Sequence, residues 1–285
     1  MEWLDAMNNA VEYLEDNINE KLDIEKVAKI ALSSPFHFQR MYYMLTGVTI
    51  AEYVRRRRLT LAAQDILAGG KIIDISYRYG YETPEAFTKA FKKMHGISPS
   101  AAKEPGANLK AYPRLTFHIS IKGDKSMNYK IDEKDAFTLV GRKTKITTAG
   151  GENKVLIPKF WDACRQDGSM EWLQRNAGKL GVIGVCTDLS TFSEGYFSYM
   201  LAIEKIKEPI PNGYVIERIP KLTWAVFEAV GSMPESLQSV EIRVFSEWFP
   251  ATGYQHECAP ELEIYSEGDF NSPDYRCEYW VPIKK

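Results

Sequence analysis

Apolar and polar positions divide the chain into a helical first third and a β-textured remainder. Residues 1–17, MEWLDAMNNAVEYLEDN, are acidic and amphipathic. LDIEKVAKIA, ending at Ala31, and KIIDISYRYGYE, ending at Glu82, each read as a short helix, and each is followed by a second helical segment. Those second segments align with one another. Residues 34–47, SPFHFQRMYYMLTG, match residues 83–96, TPEAFTKAFKKMHG, without a gap, so that Ser34 meets Thr83, Pro35 meets Pro84, Phe38 meets Phe87, Arg40 meets Lys89, Tyr42 meets Phe91 and Gly47 meets Gly96. A hydroxyl followed by Pro starts a helix well, because the hydroxyl accepts from an orphan N–H and Pro suits the first turn. Each Gly can end its helix in a left-handed conformation. Gly80 fits the turn of the second pair, whereas the first pair has Leu32 near its turn and no glycine.

Two such pairs give two helix-turn-helix units. Between them, residues 49–67 contain no Gly or Pro and repeat apolar positions at helical spacing, and Gly69-Gly70 stops the pattern. About twenty residues at 1.5 Å each make a helix of ~30 Å. That is close to one turn of DNA, ~34 Å. A single chain so built can present two reading heads, and a monomer suffices to bind; the oligomeric state is left open. Glu104-Pro-Gly-Ala-Asn then breaks the helical pattern.

From Leu115 the alternation becomes that of strands. LTFHISI, NYKI and FTLVGRKTKI predict strands, VLIPKFWDACRQ a helix, and IGVCTD and FSYMLAIE strands. A second round follows in YVIERIPKLTWAVFEAV, a helix across SLQSVEIRVFSEWFPATG, then PELEIYSEGD and YRCEYWVPIKK. Strand, helix, strand, strand therefore occurs twice. The expected architecture is multidomain: an all-α double helix-turn-helix domain over residues 1–106 and an α+β domain of two strand-helix-strand-strand repeats over residues 110–285. Two such repeats facing each other can enclose a pocket.

Charge is distributed in blocks. The net charge is −2, yet residues 34–103 carry eleven Lys and Arg against five Asp and Glu, while residues 1–33 carry three against eight. A local basic field is what phosphate neutralisation requires. Cys164, Cys186, Cys258 and Cys277 are scattered without a CxxC pair or nearby His pairs, so neither a metal site, a cofactor nor a disulfide framework is expected. No apolar run reaches membrane-spanning length, and the N-terminus lacks the basic start and apolar core of a secretory signal; a cytoplasmic location is expected.

A recognition helix reads base edges with its N-terminal turns. In the first unit the candidates expected to be exposed are Phe36, His37, Gln39 and Arg40, with Phe38 and Met41 facing the core. Arg40 can bridge O6 and N7 of guanine, Gln39 can pair with adenine, and Phe36 can meet a thymine methyl. Glu85, Ala86 and Lys89 hold the corresponding places in the second unit. Lys lacks the planar fork of Arg, so the second unit is expected to be less base-specific. Of Arg55 to Arg58, Arg55 is the candidate phosphate contact, and at least one of the others is expected to pack near the core with a carboxylate.

SPFHFQRMY, AEYVRRRRLTLAAQDIL and IDISYRYGYETPEAFTKAFKKMHGISPS, in that order, make residues 1–104 resemble the DNA-binding domain of AraC/XylS-type regulators, in their Rob-like branch. KGDKSMNYKI, PKFWDA, PELEIYSEGDF and YRCEYWVPIKK make residues 110–285 resemble the GyrI-like effector-binding domain. The resemblance implies a transcription regulator, expected to be an activator, with double-stranded DNA, a small-molecule effector and RNA polymerase as partners. It also implies that Glu263 is the pocket carboxylate.

The residues themselves place carboxylates among aromatics. Alternation along PELEIY puts Glu261, Glu263 and Tyr265 on one face, with Leu262 and Ile264 on the other, and Glu278 shares a face with Trp280. Phe160, Trp161, Tyr199, Trp224 and Trp280 join Glu263 and Tyr265 as pocket candidates, for which plain core packing is the competing role. A carboxylate among rings suits a lipophilic cation. Two other functions fit the same residues. Glu263 with Tyr265 or Trp161 could do acid/base work in a hydrolase of reactive small molecules. Alternatively, the second domain could be a ligand-free protein-interaction module. With no Ser-His-Asp pattern in view, a non-enzymatic role is expected.

Overall fold

The structure, a computed structural model, describes residues 2–118, 126–148, 151–205 and 209–285. Six helices open the chain: α1 (Glu2–Asp16), α2 (Ile24–Ile30), α3 (Pro35–Thr46), α4 (Ile50–Leu67), α5 (Ile72–Arg78) and α6 (Pro84–His95). The chain forms two compact units, Met1–Pro35 with Ile50–Ile121, and Phe36–Thr49 with Lys122–Lys285. This differs from the expected break near Glu104 in two respects. The body of α3 groups with the second unit, and the residues following Glu104 group with the first.

In the first unit, Leu59, Ala62, Ala63 and Ile66 of α4 pack with Ile75, Tyr79, Phe87, Phe91 and Ala102. The turn between α5 and α6 passes through Gly80 at φ +78°, and Thr83 caps α6 by accepting from the Ala86 N–H at 3.1 Å. After α2 the corresponding position is Leu32, held at φ +52° with its side chain exposed.

Of the four consecutive arginines, Arg57 pairs with Glu15 at 2.7 Å and donates to the Tyr112 carbonyl. Arg58 donates to the Ile18 and Glu20 carbonyls. Beyond Glu104 the chain lies extended along this unit. The N–H groups of Lys110, Tyr112, Leu115 and Phe117 donate to His95 Nδ1, Thr60 Oγ1, the Tyr53 hydroxyl and Asn8 Oδ1. The strand expected from Leu115 is therefore absent over residues 115–118, because side chains of α1 and α4 take its backbone bonds; residues 119–121 lie outside the described residues.

The second unit contains β1 (Tyr129–Lys134), β2 (Phe137–Thr147), α7 (Asn153–Gln166), α8 (Ser169–Asn176), β3 (Ile183–Thr187), β4 (Tyr196–Glu204), β5 (Val215–Ile219), β6 (Leu222–Val230), α9 (Glu235–Arg243), α10 (Phe249–Thr252), β7 (Gln255–His256), β8 (Glu261–Tyr265) and β9 (Arg276–Lys284). The single helix expected across residues 236–253 is α9 and α10 joined by a π-turn at Val244–Trp248. Helix α8 was not anticipated.

All strand pairings are antiparallel, in the order β1-β6-β9-β8-β3-β4-β2-β5, with β7 on β9. The order reads the same from either end under exchange of the two repeats: β8 corresponds to β3, β9 to β4, β6 to β2 and β1 to β5. The repeats meet along the β3–β8 seam, where Gly184 pairs with Glu263 and Cys186 with Glu261. One face of the sheet buries Val140, Cys186, Tyr199, Leu201 and Ile203 against the helices. The opposite face buries Leu139, Ile183, Val185, Met200, Trp224, Leu262 and Trp280.

Candidate functional site

The two helices expected to read DNA differ in what they present. On α6, Glu85, Ala86 and Lys89 are exposed, followed one turn later by exposed Lys92 and Lys93. Phe87, Phe91 and His95 turn inward. Arg55 is also exposed, and it is ion-paired with Glu52 one turn earlier on α4.

On α3 the expected exposure is not found. Phe36 and Gln39 are half-buried, and His37 and Arg40 are buried, at 5% and 7% exposure. The reason lies in the second unit. Arg40 donates through Nε to Glu261 Oε1 at 2.7 Å and through Nη2 to Glu261 Oε2. Its guanidinium carbon stands 5.3 Å from the Phe192 ring and 5.5 Å from the Phe245 ring, the latter in the π-turn. His37 Nδ1 accepts from the His256 N–H at 3.0 Å. Burial pushes the His37 ring down to about 3, which keeps it neutral and able to accept. Phe36 meets the His256 ring edge-on at 5.0 Å, and Tyr43 meets Phe192 at 4.8 Å while donating to Asn153 Oδ1 at 2.9 Å. Residues 36, 37, 40 and 43 form one helical stripe, so the face expected to read bases is the face packed in the second unit.

Glu261, 1% exposed, accepts from more than Arg40. His256 Nε2 lies 2.8 Å from Oε1, and the Tyr279 hydroxyl donates to Oε2 at 2.8 Å. Burial alone would raise this carboxyl, but the Arg40 guanidinium and the His256 bond hold it well below the usual carboxylate range.

Two residues along β8, on the same face, Glu263 forms a second centre. It is 7% exposed, and its Oε2 accepts from the hydroxyls of Tyr199 and Tyr265, each at 2.6 Å. Trp161 Nε1 donates to the Tyr199 oxygen at 3.2 Å. Trp161 stands edge-on to Tyr265 at 5.0 Å, and Phe160 edge-on to Tyr199 at 6.4 Å. Phe270 completes the ring set, 5.7 Å from Tyr265. Trp161, Phe160, Tyr265 and Phe270 keep partial exposure, so the carboxylate lies beneath rings that reach solvent.

Burial raises the Glu263 pKa, against the lowering effect of its two tyrosine donors. Glu241 on α9 is pushed up to about 8 by burial and by the charge of Glu263. Glu241, Glu261 and Glu263 thus interact electrostatically with one another and with Arg40, and Lys154 is a further cation within reach of Glu241.

Five of the seven expected pocket residues come together: Phe160, Trp161, Tyr199, Glu263 and Tyr265. Trp224 and Trp280 do not. Strand alternation sends both to the opposite face, where they pack edge-on at 5.8 Å in the other core. Trp280 Nε1 donates to Glu278 instead.

Sequence reasoning missed Glu241, Phe270 and Gly184. Gly184 faces Glu263 across the seam, and a Cβ there would collide with the Glu263 carboxylate and the Tyr199 hydroxyl. A lone glycine in a short strand, IGVCT, is the one sign of such close approach.

Among the described residues no group of His, Cys, Asp and Glu is placed to hold a metal ion, and no helix is long and apolar enough to cross a membrane.

Known proteins resemble both parts of the chain. Residues 27–104 match a family described as a helix-turn-helix domain, and residues 130–283 match one described as the integron-associated effector binding protein, Cass2. The HTH-type transcriptional regulator YbfP of Bacillus subtilis is 36% identical over 97 residues, 34% of this chain and 33% of YbfP. The HTH-type transcriptional activator AarP of Providencia stuartii is 33% identical over 89 residues, 31% of this chain and 66% of AarP. The chain therefore spans a third to just under two thirds of those relatives' lengths. The structure of SAV2435 bound to tetraphenylphosphonium aligns at 28% identity and a TM-score of 0.50, over 55% of this chain and 94% of SAV2435. The chain belongs to the integron-associated effector binding family through residues 130–283, a GyrI-like domain, and carries ahead of it an AraC-type helix-turn-helix domain of the kind that binds DNA in transcription regulators.

Proposed function

We propose that this chain is a DNA-binding transcription regulator that responds to a lipophilic cation held over Glu263. The observation that carries this reading is the Glu263 centre: a buried carboxylate, fixed by Tyr199 and Tyr265, beneath partly exposed rings and beside a second acid, Glu241. Rings supply cation–π attraction, and a carboxylate in low dielectric supplies charge compensation that water would otherwise weaken. SAV2435 carries a lipophilic cation, tetraphenylphosphonium, which supports the same class of ligand here.

On the DNA side, Glu85, Ala86 and Lys89 of the exposed α6 face read bases and Arg55 meets phosphate, while Phe36, His37, Gln39 and Arg40 of α3 join the base-reading set only once that helix leaves its packing in the second unit. An activating role is supported by the likeness of 89 residues of the chain to the activator AarP, and RNA polymerase is the partner such a role calls for. The effector is bound and released unchanged, so Glu263 acts as an anchor and not as an acid or base.

The test is calorimetric titration of tetraphenylphosphonium into the full chain and into Glu263→Gln, together with enrichment of genomic DNA fragments at fixed salt. Saturable binding weakened at least tenfold by Glu263→Gln, with one short DNA motif enriched, is the expected result. Equal binding by both proteins would remove Glu263 from the effector site, and fragment recovery without a shared motif would remove the reading of a sequence-specific regulator.

A further inference from the structure

The centre at Glu261 has a different occupant from the one at Glu263. Its carboxylate is bound through both oxygens by Arg40, and its remaining capacity is filled by His256 and Tyr279. Phe192 and Phe245 flank the guanidinium. Carboxylate, supporting donors and flanking rings are the parts of a cation receptor, and they are assembled around a side chain of α3. The rest of the α3 stripe is fitted too: Phe36 and His37 against His256, and Tyr43 against Phe192 and Asn153. A helix with this face packed cannot offer Phe36, His37 or Arg40 to a major groove.

We propose that Arg40 is an internal cationic ligand of the second unit, that its seat at Glu261 holds α3 away from DNA, and that a cation arriving over Glu263 frees it. Glu261 and Glu263 stand two residues apart on one face of β8, and Glu241 lies within the electrostatic reach of both and of Arg40. A further positive charge brought into that group repels the guanidinium and draws on the same carboxylates. In a low-dielectric surround such terms are weakly screened. A ligand shifts an equilibrium only through a difference in affinity between states; here the cation binds better once Arg40 has left, and by reciprocity its binding favours release of α3. This mechanism rests on the reading of Glu263 as the effector site, whereas the seat for Arg40 stands independently of it.

Hydrogen–deuterium exchange of the full chain, read on peptides covering residues 36–46, tests both parts. With tetraphenylphosphonium bound, exchange in α3 is expected to rise at least tenfold while peptides of β3 and β8 slow. Binding of the cation with α3 protection unchanged would overturn the displacement step.

Without any ligand, Glu261→Gln is expected to leave α3 exchanging fast, to raise DNA retention about tenfold, and to abolish its further rise with the cation. A folded Glu261→Gln protein with α3 protected as in the parent would overturn the seat itself. Tyr279→Phe removes one donor from Glu261 and keeps the charge pair, so it serves if Glu261→Gln does not fold. It is expected to raise α3 exchange about threefold, and no change would count against the seat. If tetraphenylphosphonium does not bind at all, the effector reading fails while these two variants still decide whether Arg40 holds α3.

Discussion

Helices α3 and α6 carry one pattern of letters and live in opposite surroundings. Both begin with a hydroxyl and Pro, both put a Phe at the fourth helical position, and both end at a glycine at positive φ. On α6 the cation of the pattern, Lys89, stands in solvent. On α3 it is Arg40, buried and paired with a carboxylate 221 residues away. A recognition-helix sequence therefore specifies a face and not its occupant. Cations and rings that suit phosphate and bases also suit an acidic, aromatic protein site. Arg is the better choice for that second use, because its fork binds both oxygens of one carboxylate and keeps its charge when buried.

The two helices separate most strongly when the carboxylate that serves one of them is removed. Glu261→Ala takes from Arg40 the carboxylate that keeps it seated, which destabilises the packed state of α3 by about 3–5 kcal/mol; chemical denaturation of the full chain reads this directly. Lys89→Ala on the exposed helix is expected to stay within about 0.5 kcal/mol of the parent. Equal stability of the two variants would mean that Arg40 is not held as the distances indicate.

Next in size is the seam. Gly184→Ala places a methyl group against the Glu263 carboxylate and the Tyr199 hydroxyl. Overpacking of this kind costs about 1–3 kcal/mol. Here it falls on the effector site and should weaken tetraphenylphosphonium binding by at least tenfold while Arg40 stays seated, as α3 exchange would report.

Proton uptake separates the two acidic centres further. Glu261 is ionised across the ordinary range, whereas Glu241, at about 8, holds its proton at neutral pH. A carboxyl raised on folding adds nothing to instability below its ordinary pKa and destabilises progressively as pH climbs toward the raised value. Without ligand, the second unit should therefore lose stability between about pH 5 and 8, on the linkage of a raised carboxyl. Cation binding has the opposite slope, since deprotonation of Glu241 adds a negative charge, so affinity should rise from pH 6 to 9. In Glu241→Gln both slopes should flatten, and persistence of either would assign it to another group.

On the DNA side the expected effect is smaller. Lys89→Ala should weaken all DNA sequences about equally and lower the salt slope by about 1. A change in sequence preference would make α6 a base reader through Lys89.

Much of this was legible in the chain. The repeat between residues 34–47 and 83–96, the capped start at Thr83, the unbroken run of α4 and the alternation that unites Glu261, Glu263 and Tyr265 are local signals, and local signals survive without tertiary information. Burial of Arg40 was not legible, because it depends on Glu261, His256 and Tyr279, whose approach no short-range pattern announces. The division between Trp161, at the site, and Trp224 and Trp280, on the other face, depends on strand registers. Helix α8 escaped because SMEWLQRN spans barely two turns. The expected strand at Leu115 failed for a related reason, since β texture reports an extended backbone and not the partner that pairs with it.

The smallest effect concerns the turns that precede the two helices. In both, the residue at the turn takes a left-handed conformation, and its successor's N–H closes the preceding helix by bonding five residues back: Ser33 to the Ala28 carbonyl, Tyr81 to the Ser76 carbonyl. At the second turn that residue is Gly80, with no Cβ to strain. At the first it is Leu32, whose φ of +52° costs a side chain with a Cβ roughly 1 kcal/mol. Its side chain, 67% exposed, gains little from packing in return. Leu32→Gly relieves the strain and gives back part of the gain as chain entropy in the unfolded state, so the first unit should become more stable by about 0.5 kcal/mol. A loss of stability on that substitution would show that the leucine is held by contacts strong enough to offset its backbone, and the two turns would then differ in kind as their helices do.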